Sequence, residues 1–292
     1  MPDPASLSQI SVAILSCNRR DELRVTLEGL GAPGPTPWRE IIVADNASSD
    51  GTPAMVRSEF PAVHLIETGG NIGVAGINQA YRAASGRWVL SLDDDSCPDL
   101  ESWEPLCREL GNDVPYAAIA CSVRSRPAGR TLAGQPVLVP YPGFHQAGGL
   151  LRRDLIEKLG GFDEDLFLWG NELHLTARAI HAGFELARCD SAVVVHRATP
   201  LNRSSKRHAY YYCRNLLLLI LRHGPAEMRR HLVDRFLARV LLYSMLHRTT
   251  AYVAAVRGAV RIARRTRLRA PLTREQFNGM NPDLRAPFAY LG

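Results

Sequence analysis

The first hundred residues repeat one order of segments, and this order restricts the fold more than any other feature. Short apolar runs occupy residues 10–15, 41–44, 63–66 and 89–92, and turn residues and helix patterns separate them. Apolar runs bounded by turns are typical of buried parallel strands. Their alternation with helices predicts a doubly wound α/β half-domain.

The fourth apolar run ends in three consecutive aspartates, Asp93, Asp94 and Asp95. Ligands of open α/β sheets bind beyond the carboxyl ends of the strands. Adjacent carboxylates repel one another unless they are compensated, and hard divalent cations take carboxylate and phosphate oxygens as ligands. The aspartates therefore predict a metal–diphosphate site, with a solvated acidic turn before the next helix as the alternative.

The turn after the first run excludes two common nucleotide-binding folds. A dinucleotide-binding fold needs GxGxxG at this point, but the chain reads SCNRRDEL without any glycine. The GK[ST] sequence of a P-loop is absent as well. Glycines occur instead in residues 69–76, after the third run, where they allow close backbone approach to a ligand or form a flexible loop.

Composition and charge indicate an ordinary globular protein with two electrically different parts. The 292 residues are 46% hydrophobic, and the six cysteines show no CxxC spacing, which favours reduced thiols in a cytosolic protein. We expect a cytoplasmic location because no signal peptide or spanning segment is recognisable. Residues 1–200 carry 17 Lys and Arg against 25 Asp and Glu, whereas residues 201–292 carry 18 against 4. This asymmetry predicts an acidic catalytic part and a basic region that meets anionic material.

Four ordered blocks resemble a known family. They read VAILSCNRRDEL, IIVADNASSDGT, GGNIGVAGINQAYRAASGRWVLSLDDD and GGFDEDLFLWGNELHLTARAIHAGFE. In this order and spacing they resemble the family-2 inverting glycosyltransferases of the GT-A fold, in particular the rhamnosyltransferase-like, non-processive branch. The QxxRW block of the processive polysaccharide synthases is absent.

The resemblance implies an α/β fold, namely a GT-A mixed, mainly parallel sheet flanked by helices. It implies a catalytic domain over residues 1–200, with a donor half of about 1–100 and an acceptor half of about 101–200. A basic loop and C-terminal helices then occupy residues 201–292.

The activity implied is that of a hexosyltransferase. It transfers a sugar from a nucleoside-diphosphate sugar, with UDP or dTDP as the nucleotide, to an acceptor hydroxyl with inversion, and it uses Mg²⁺ or Mn²⁺. A sugar-nucleotidyltransferase is disfavoured, because SCNRRDEL lacks the necessary glycines and lysine. A non-catalytic sugar-nucleotide-binding protein stays an alternative, since Asn171 and His174 stand where acids are common in the family. A nucleic-acid-binding module acting through the basic region is a weaker alternative, and no nucleic acid is expected as a partner.

The family blocks also imply which side chains bind the donor. Ser16, Asn18 and Asp45 match positions around the base, and Asn71 and Asn78 match positions near the donor. The Asp45 carboxylate suits a pyrimidine N–H or ribose hydroxyls, but it also suits a turn or helix cap. The two asparagines have the alternative of satisfying turn backbone.

The triple aspartate matches the family's DxD motif. Asp93 is implied in ribose or metal binding, Asp94 in donor binding and Asp95 in metal binding. His196 ends the apolar run 192–195, and a neutral imidazole at a strand end can complete a metal shell. The predicted metal ligands are therefore Asp93, Asp95 and His196, although His196 has a structural hydrogen bond as its alternative.

Glu172 is the predicted catalytic base. An inverting transfer needs a group that deprotonates the acceptor hydroxyl, and Glu172 keeps the second carboxylate of the family's acidic pair. Its alternative is an acid at a helix N-terminus, where the macrodipole favours negative charge. Arg178 on the same helix matches an arginine of the family or forms a structural ion pair.

The basic C-terminal region leaves two acceptor classes open. Residues 201–215 mix cations with tyrosines and predict a flexible loop that closes over the diphosphate, with Arg203 or Arg207 neutralising the leaving group. The helices beyond it carry arginines beside an apolar stripe, as peripheral membrane helices do. A lipid-linked acceptor at the inner membrane face fits membrane contact, whereas a soluble sugar or small-molecule acceptor fits helices that pack on the catalytic domain.

Overall fold

A computed structural model describes residue 2 and residues 4–125, 137–197, 205–265 and 271–280. The chain divides into two compact units. The first unit is Met1–Gly161 with Phe184–Thr199, and the second is Phe162–Gly183 with Pro200–Gly292.

The first unit is built on one mixed sheet. Its strands, as far as the described residues show, have the order β3-β2-β1-β4-β8-β6-β9-β5, and β7 pairs with β9 outside this order. The strands are β1 (Ile10–Ser16), β2 (Glu40–Asp45), β3 (His64–Glu67), β4 (Trp88–Asp93), β5 (Ser96–Pro98), β6 (Tyr116–Arg124), β7 (Val139–Pro140), β8 (Gly149–Arg152) and β9 (Glu185–His196). The helices are α1 (Pro4–Leu7), α2 (Arg20–Gly29), α3 (Thr52–Glu59), α4 (Ile77–Ala83), α5 (Glu104–Leu110) and α6 (Arg153–Leu159).

The four strands predicted in the first hundred residues are present, and they pair in parallel as β3-β2-β1-β4. Strand β1 is buried almost throughout, as expected for a continuous apolar run in the interior of a parallel sheet. Beyond β4 the pairing turns antiparallel through β8, and it is parallel again between β6 and β9. The predicted mixed α/β sheet with flanking helices is confirmed.

Trp103 packs the segment that precedes α5 against the sheet of the first unit. Trp88 and Trp103 are fully buried, and Trp103 meets Trp38 edge to face with ring centroids 6.1 Å apart. The Trp103 indole Nε1 also donates to the carbonyl oxygen of Val193 on β9 at 2.9 Å. A buried ring whose N–H finds a partner contributes apolar burial without a desolvation penalty.

The second unit is helical in its described residues. Its helices are α7 (Asn171–His181), α8 (Ser205–His223), α9 (Arg229–Leu246), α10 (Ala251–Arg265) and α11 (Arg274–Gly279). Helix α8 contributes the consecutive buried side chains of residues 216–220 to the core, where Phe236, Tyr252 and Phe277 from the other helices meet them. None of the helices in the described residues has the length and apolar character required to cross a bilayer.

The loop predicted for residues 201–215 is wrong for its described part. Residues 205–215 form the first half of α8. Ala209, Cys213 and Leu217 follow one another at intervals of four and are buried, so they place one continuous apolar stripe on the core. The basic and aromatic composition of the segment obscured this periodicity.

The glycine pair after α6 offers a matched test of packing. Both Gly160 and Gly161 have positive φ, but a Cβ at Gly160 meets nothing within 4 Å, whereas one at Gly161 overlaps Asn78 Oδ1. We expect Gly160→Ala to cost about 1 kcal/mol, from left-handed backbone strain. Gly161→Ala should cost about 3 kcal/mol, because overpacking adds to the same strain. Urea unfolding of both variants measures the difference, and equal losses would contradict the predicted contact.

Candidate active site

The parallel strands bring several predicted residues to one edge of the sheet. Ser16 at the end of β1 pairs with Asp45 at the end of β2, and Leu15 pairs with Asp93 at the end of β4. Because parallel strands end at the same edge, their terminal polar side chains gather there. The ends of β1, β2 and β4 therefore lie side by side at the edge of the sheet where the sequence predicts a site.

A tight turn after β4 positions the aspartates. Asp94 and Asp95 form the turn, and the Ser96 hydroxyl accepts from Asp93 N at 2.9 Å and donates to Asp93 O at 3.0 Å. Ser96 then pairs with His196 in the antiparallel β5–β9 register. This register brings the end of β9 beside the turn, although 100 residues separate the two in sequence.

Asp93, Asp95 and His196, which we call the cation group, each offer a ligand atom, and these atoms all lie within 4.8 Å of one another. His196 Nε2 is 2.9 Å from Asp95 Oδ1 and 3.8 Å from Asp93 Oδ2. The Asp95 side chain is 2% exposed, whereas those of Asp93 and His196 are 34% and 22% exposed. The group is thus anchored in the protein at Asp95 and open to solvent on its other side.

The carboxylates of the cation group are held by further side chains. Arg19 Nη2 contacts Asp95 Oδ2 at 2.6 Å, and Arg19 Nε lies 2.9 Å from Asp94 Oδ1. Gln146 Nε2 donates to Asp93 Oδ1 at 3.0 Å. Each carboxylate of the group therefore has one oxygen held by a protein donor while the other lies toward the shared centre, which is how outer partners orient metal ligands.

The middle aspartate has a different environment. Asp94 is buried, and its pKa is raised to about 7 chiefly because burial disfavours the charged carboxylate. The neighbouring Asp93 and Asp95 also raise this pKa, while the Arg19 guanidinium lowers it. The Asp94 side chain thus faces Arg19, on the protein side of the turn.

The donor set of the cation group fits a divalent cation. Two carboxylates and one imidazole match the mixture of oxygen and nitrogen ligands that Mn²⁺ accepts, and the carboxylates alone suit Mg²⁺. The partly exposed face of the group leaves room for oxygens from outside the protein, as a diphosphate-bound ion requires.

The residues predicted around the base tie together the loops after β1 and β2. Asn18, at a φ of 54°, accepts from Ser49 N at 2.7 Å, and its own N–H donates to the Ser48 hydroxyl at 2.8 Å. Asp45 Oδ2 accepts from Ser48 N at 2.9 Å, which is the turn role considered for it. Its other oxygen, Oδ1, is buried and has no hydrogen-bond partner among the described residues. Asp45 therefore has one unsatisfied acceptor oxygen while its other oxygen caps the turn.

The asparagines of the glycine-rich loop have distinct environments. Exposed Asn71 accepts from Gly73 N at 3.1 Å, so it satisfies turn backbone as the alternative proposed. Asn78 is buried on α4 against Gly161. Buried Asn46, to which the sequence assigned no role, donates to Gly73 O at 2.9 Å and accepts from Ile72 N at 3.1 Å. Asn46 thus holds the glycine-rich loop at the end of β2.

In the second unit, Glu172 lies in the first turn of α7. Two left-handed residues, Trp169 at φ 56° and Gly170 at φ 74°, turn the chain into this helix. The Asn171 amide nitrogen donates to Leu166 O at 2.8 Å, and its amide oxygen accepts from Trp169 N at 3.0 Å. A carboxylate at position 171 has no proton for Leu166 O at neutral pH, which gives a physical reason for the asparagine.

A buried asparagine on α8 secures the same loop. The Asn215 amide Nδ2 donates to the carbonyl oxygens of Leu168 and Trp169, both at 2.7 Å. Its backbone carbonyl accepts from His174 Nε2 at 2.9 Å. His174 is fully buried, and burial lowers its pKa to about 4, so the imidazole is neutral at neutral pH. His174 therefore has a structural role, as a buried neutral imidazole bonded to the backbone of α8.

Of the two arginines predicted to neutralise the diphosphate, Arg203 and Arg207, the structure describes only Arg207. Arg203 lies outside the described residues. Arg207 is exposed on α8, and its guanidinium lies over the Phe167 ring, 5.4 Å from the centroid. Phe167 in turn stacks on Tyr211 at 5.1 Å. The basic and aromatic residues thus pack around the segment that precedes Glu172.

Sequence reasoning missed Arg19, Gln146 and Asn46. Arg19 could have been identified from sequence, because it follows the end of β1 closely and the neighbouring β4 ends in three acids that need a cation. Gln146 and Asn46 act through partners that are distant in sequence, so no local pattern marks them.

Comparison with known sequences decides the family. The model of glycosyl transferase family 2 matches residues 11–162, just over half of the chain. The chain belongs to glycosyl transferase family 2. It is therefore an enzyme, a glycosyltransferase, as the four sequence blocks predicted.

Known relatives of this family-2 glycosyltransferase agree with the fold. The chain is 26% identical to an N-acetylglucosaminyl-diphospho-decaprenol L-rhamnosyltransferase of Mycobacterium tuberculosis, over 67% of this chain and 83% of that protein. A mannosyltransferase of Pyrobaculum calidifontis, solved with GDP-Man and Mn²⁺, has a TM-score of 0.61 at 19% identity, covering 100% of this chain and 88% of that one. GalNAc-T7, solved with UDP, GalNAc and Mn²⁺, has a TM-score of 0.65 at 12% identity, covering 96% and 58%. The two solved structures share the GT-A fold with this chain.

Removing one member of the cation group should abolish tight cation binding. We expect Asp95→Asn to weaken Mn²⁺ binding by about a hundredfold, because it removes a charged ligand that the fold holds in place. Mn²⁺ titration followed by electron paramagnetic resonance measures this without turnover. Asp113→Asn, at an exposed carboxylate of the same unit, is the matched control. Equal Mn²⁺ affinity in the two variants would refute the site.

His174 should make the fold sensitive to acid. Its folded-state pKa of about 4 lies below the ordinary histidine value of 6.5. The stability that neutral His174 contributes is therefore complete above pH 6.5 and is lost as the pH falls toward 4. Between pH 7 and pH 5 we expect His174 to account for a loss of about 2 kcal/mol, which His174→Gln should largely remove. Denaturant unfolding at both pH values measures this. His231→Gln, at an exposed histidine of α9, should keep the wild-type pH dependence.

Proposed function

We propose that the enzyme transfers a sugar from a nucleoside-diphosphate sugar to an acceptor hydroxyl with inversion, and that Glu172 is the general base. The observation that carries this proposal is the cation group at the carboxyl edge of the sheet. The mannosyltransferase and GalNAc-T7 were both solved with Mn²⁺ and with a nucleotide or nucleotide sugar. The similar fold and the donor set support the same use in this chain.

Different residues have separate roles in the donor binding that we propose. Asp93, Asp95 and His196 hold Mg²⁺ or Mn²⁺, which supplies positive charge to the diphosphate leaving group. Arg19 and Gln146 keep the two carboxylates oriented, so little reorganisation is needed when the donor binds. Arg203 and Arg207 of the second unit are proposed to add charge to the leaving diphosphate.

Asp45 supports a nucleotide-bound donor, for which we propose UDP or dTDP. A buried carboxylate oxygen without a partner is costly, and a base N–H or ribose hydroxyl satisfies it. Ser16 and Asn18 lie at the same strand ends and turns and complete the pocket wall that we assign to the nucleotide. Asn71, Asn78 and Asp94 are the further donor-binding residues of this proposal.

Glu172 performs the acid–base step of the proposed reaction. The acceptor oxygen forms a bond to the anomeric carbon while the bond from that carbon to the diphosphate oxygen breaks. The hydroxyl proton passes to the Glu172 carboxylate. The fixed loop before α7 and the asparagine network behind it support this role, because a base must be held in place to act.

The acceptor we propose is a lipid-linked sugar, and the enzyme then works at the cytoplasmic face of the membrane. The mycobacterial relative is named for a decaprenol-linked acceptor. The basic C-terminal region supports the same assignment, since anionic lipid surrounds such an acceptor.

Glu172→Gln tests the proposed base. We expect kcat to fall by about a hundredfold or more, because general base catalysis is lost while the shape of the side chain is kept. Binding of the nucleotide with Mn²⁺, measured by thermal shift with UDP, dTDP and GDP, should be unchanged and should favour UDP or dTDP. Glu164→Gln, at an exposed acid in the same unit, should keep full activity. Retained turnover in Glu172→Gln would rule out the base, and stabilisation by GDP alone would rule out the proposed donor.

A further inference from the structure

The C-terminal end of α9 carries large apolar side chains in contact with solvent. Leu241, Leu242, Met245 and Leu246 are 61%, 48%, 70% and 65% exposed. Their spacing places them together on one face of the helix. Four neighbouring side chains of this kind form a contiguous apolar patch, unlike the singly scattered apolar residues of an ordinary surface.

Folding of the second unit does not need this patch. Helix α9 already packs on the core through buried Phe236 and Val240, with Leu232 and Tyr243 partly buried beside them. The patch lies on the other side of the helix, and leaving it in water has a cost in free energy. It therefore calls for a partner outside the unit.

Cations lie beside the patch on α9. Arg235 and Arg239 precede Leu242 and Leu246 at helical spacing on the same face, and exposed Arg248 follows the helix. From residue 229 to residue 265 the chain holds nine arginines and a single acid, Asp234. Helix α10 has a groove of its own, lined by Val256, Arg257, Val260, Arg261, Arg264 and Arg265, and it adds to the positive charge of the second unit. The partner of this surface is thus both apolar and anionic.

We propose that the C-terminal end of α9 inserts into the interface of an anionic phospholipid bilayer. Leu241, Met245 and Leu246 enter the boundary between headgroups and acyl chains, while the arginines contact lipid phosphates. A helix of this kind lies in the membrane surface without crossing it, which agrees with the absence of a spanning helix in the described residues. The inference deepens the proposed function and rests on it for one point, that the acceptor is carried by the same bilayer.

A second copy of the chain fits this surface less well. A stable dimer interface needs roughly 20–30 residues from each partner, far more than the patch supplies. A two-fold contact centred on the patch also brings like-charged arginines of both copies together, and nearby like charges repel. A bilayer accepts a small apolar patch and supplies the opposite charge.

Vesicle co-sedimentation of the full chain tests the proposal. Vesicles of phosphatidylcholine with 30% phosphatidylglycerol should bind the wild type, whereas pure phosphatidylcholine should bind it much more weakly. Combined Leu241→Ser, Met245→Ser and Leu246→Ser should lower the partition coefficient by about a hundredfold. Combined Arg235→Gln and Arg239→Gln should lower it by about twentyfold on the anionic vesicles alone. Val25→Ser, at an exposed apolar residue of α2, is the matched control and should bind as the wild type does.

The outcomes separate this proposal from the proposed reaction. Wild-type partition in the triple serine variant would overturn the membrane surface. A second result would also overturn it: light scattering shows that the wild type is a dimer and the triple variant a monomer, and neither protein binds vesicles. Because the substituted side chains are exposed, the free energy of unfolding of the triple variant should change little, and the variant should retain metal-dependent donor binding. Turnover that survives Glu172→Gln, alongside vesicle binding that depends on α9, would refute the reaction and leave the membrane surface supported.

Discussion

The contact of the Arg19 guanidinium with the aspartates after β4 is the interaction on which the cation group depends. Three consecutive carboxylates at one strand end repel one another, and two of them are buried. Arg19 reaches Asp94 and Asp95 together, at 2.9 Å and 2.6 Å. Breaking a buried pair of this kind is costly, because it leaves charge without compensation. The same contact turns one Asp95 oxygen away from solvent and leaves the other facing His196. Stability and cation binding are therefore linked at this turn.

A comparable arrangement of polar groups fixes the start of α7 in the second unit. Trp169 and Gly170 adopt left-handed backbone conformations, which is unusual for tryptophan. The carbonyls of this segment find donors in Asn171 and Asn215, so the strained turn has a compensating hydrogen-bond network. The Asn171 amide suits this position because it can donate to one backbone group and accept from another. The network leaves Glu172 as the carboxylate of the pair.

Much of the first unit could be predicted from sequence because local patterns determine it. The apolar runs of β1 and β2 are bounded by turn residues, so their ends were located to within one residue. His196 was found because it ends such a run, and the structure places it beside Asp95. Arg19 was not identified, since its role depends on strand pairing. The helix over residues 205–215 could not be predicted in the same way, because basic and aromatic side chains hide the buried periodicity of α8.

The order of segments along the chain has a consequence for biosynthesis. Residues 162–183 belong to the second unit, yet they precede β9 of the first unit. Strand β9 lies inside the sheet and supplies His196. While the ribosome extends the chain, the parallel strands β1 to β4 can pair early, but the His196 imidazole emerges only after α7 has been made. A nascent chain therefore carries two aspartates without their histidine, and the complete cation group forms only once translation has passed residue 196.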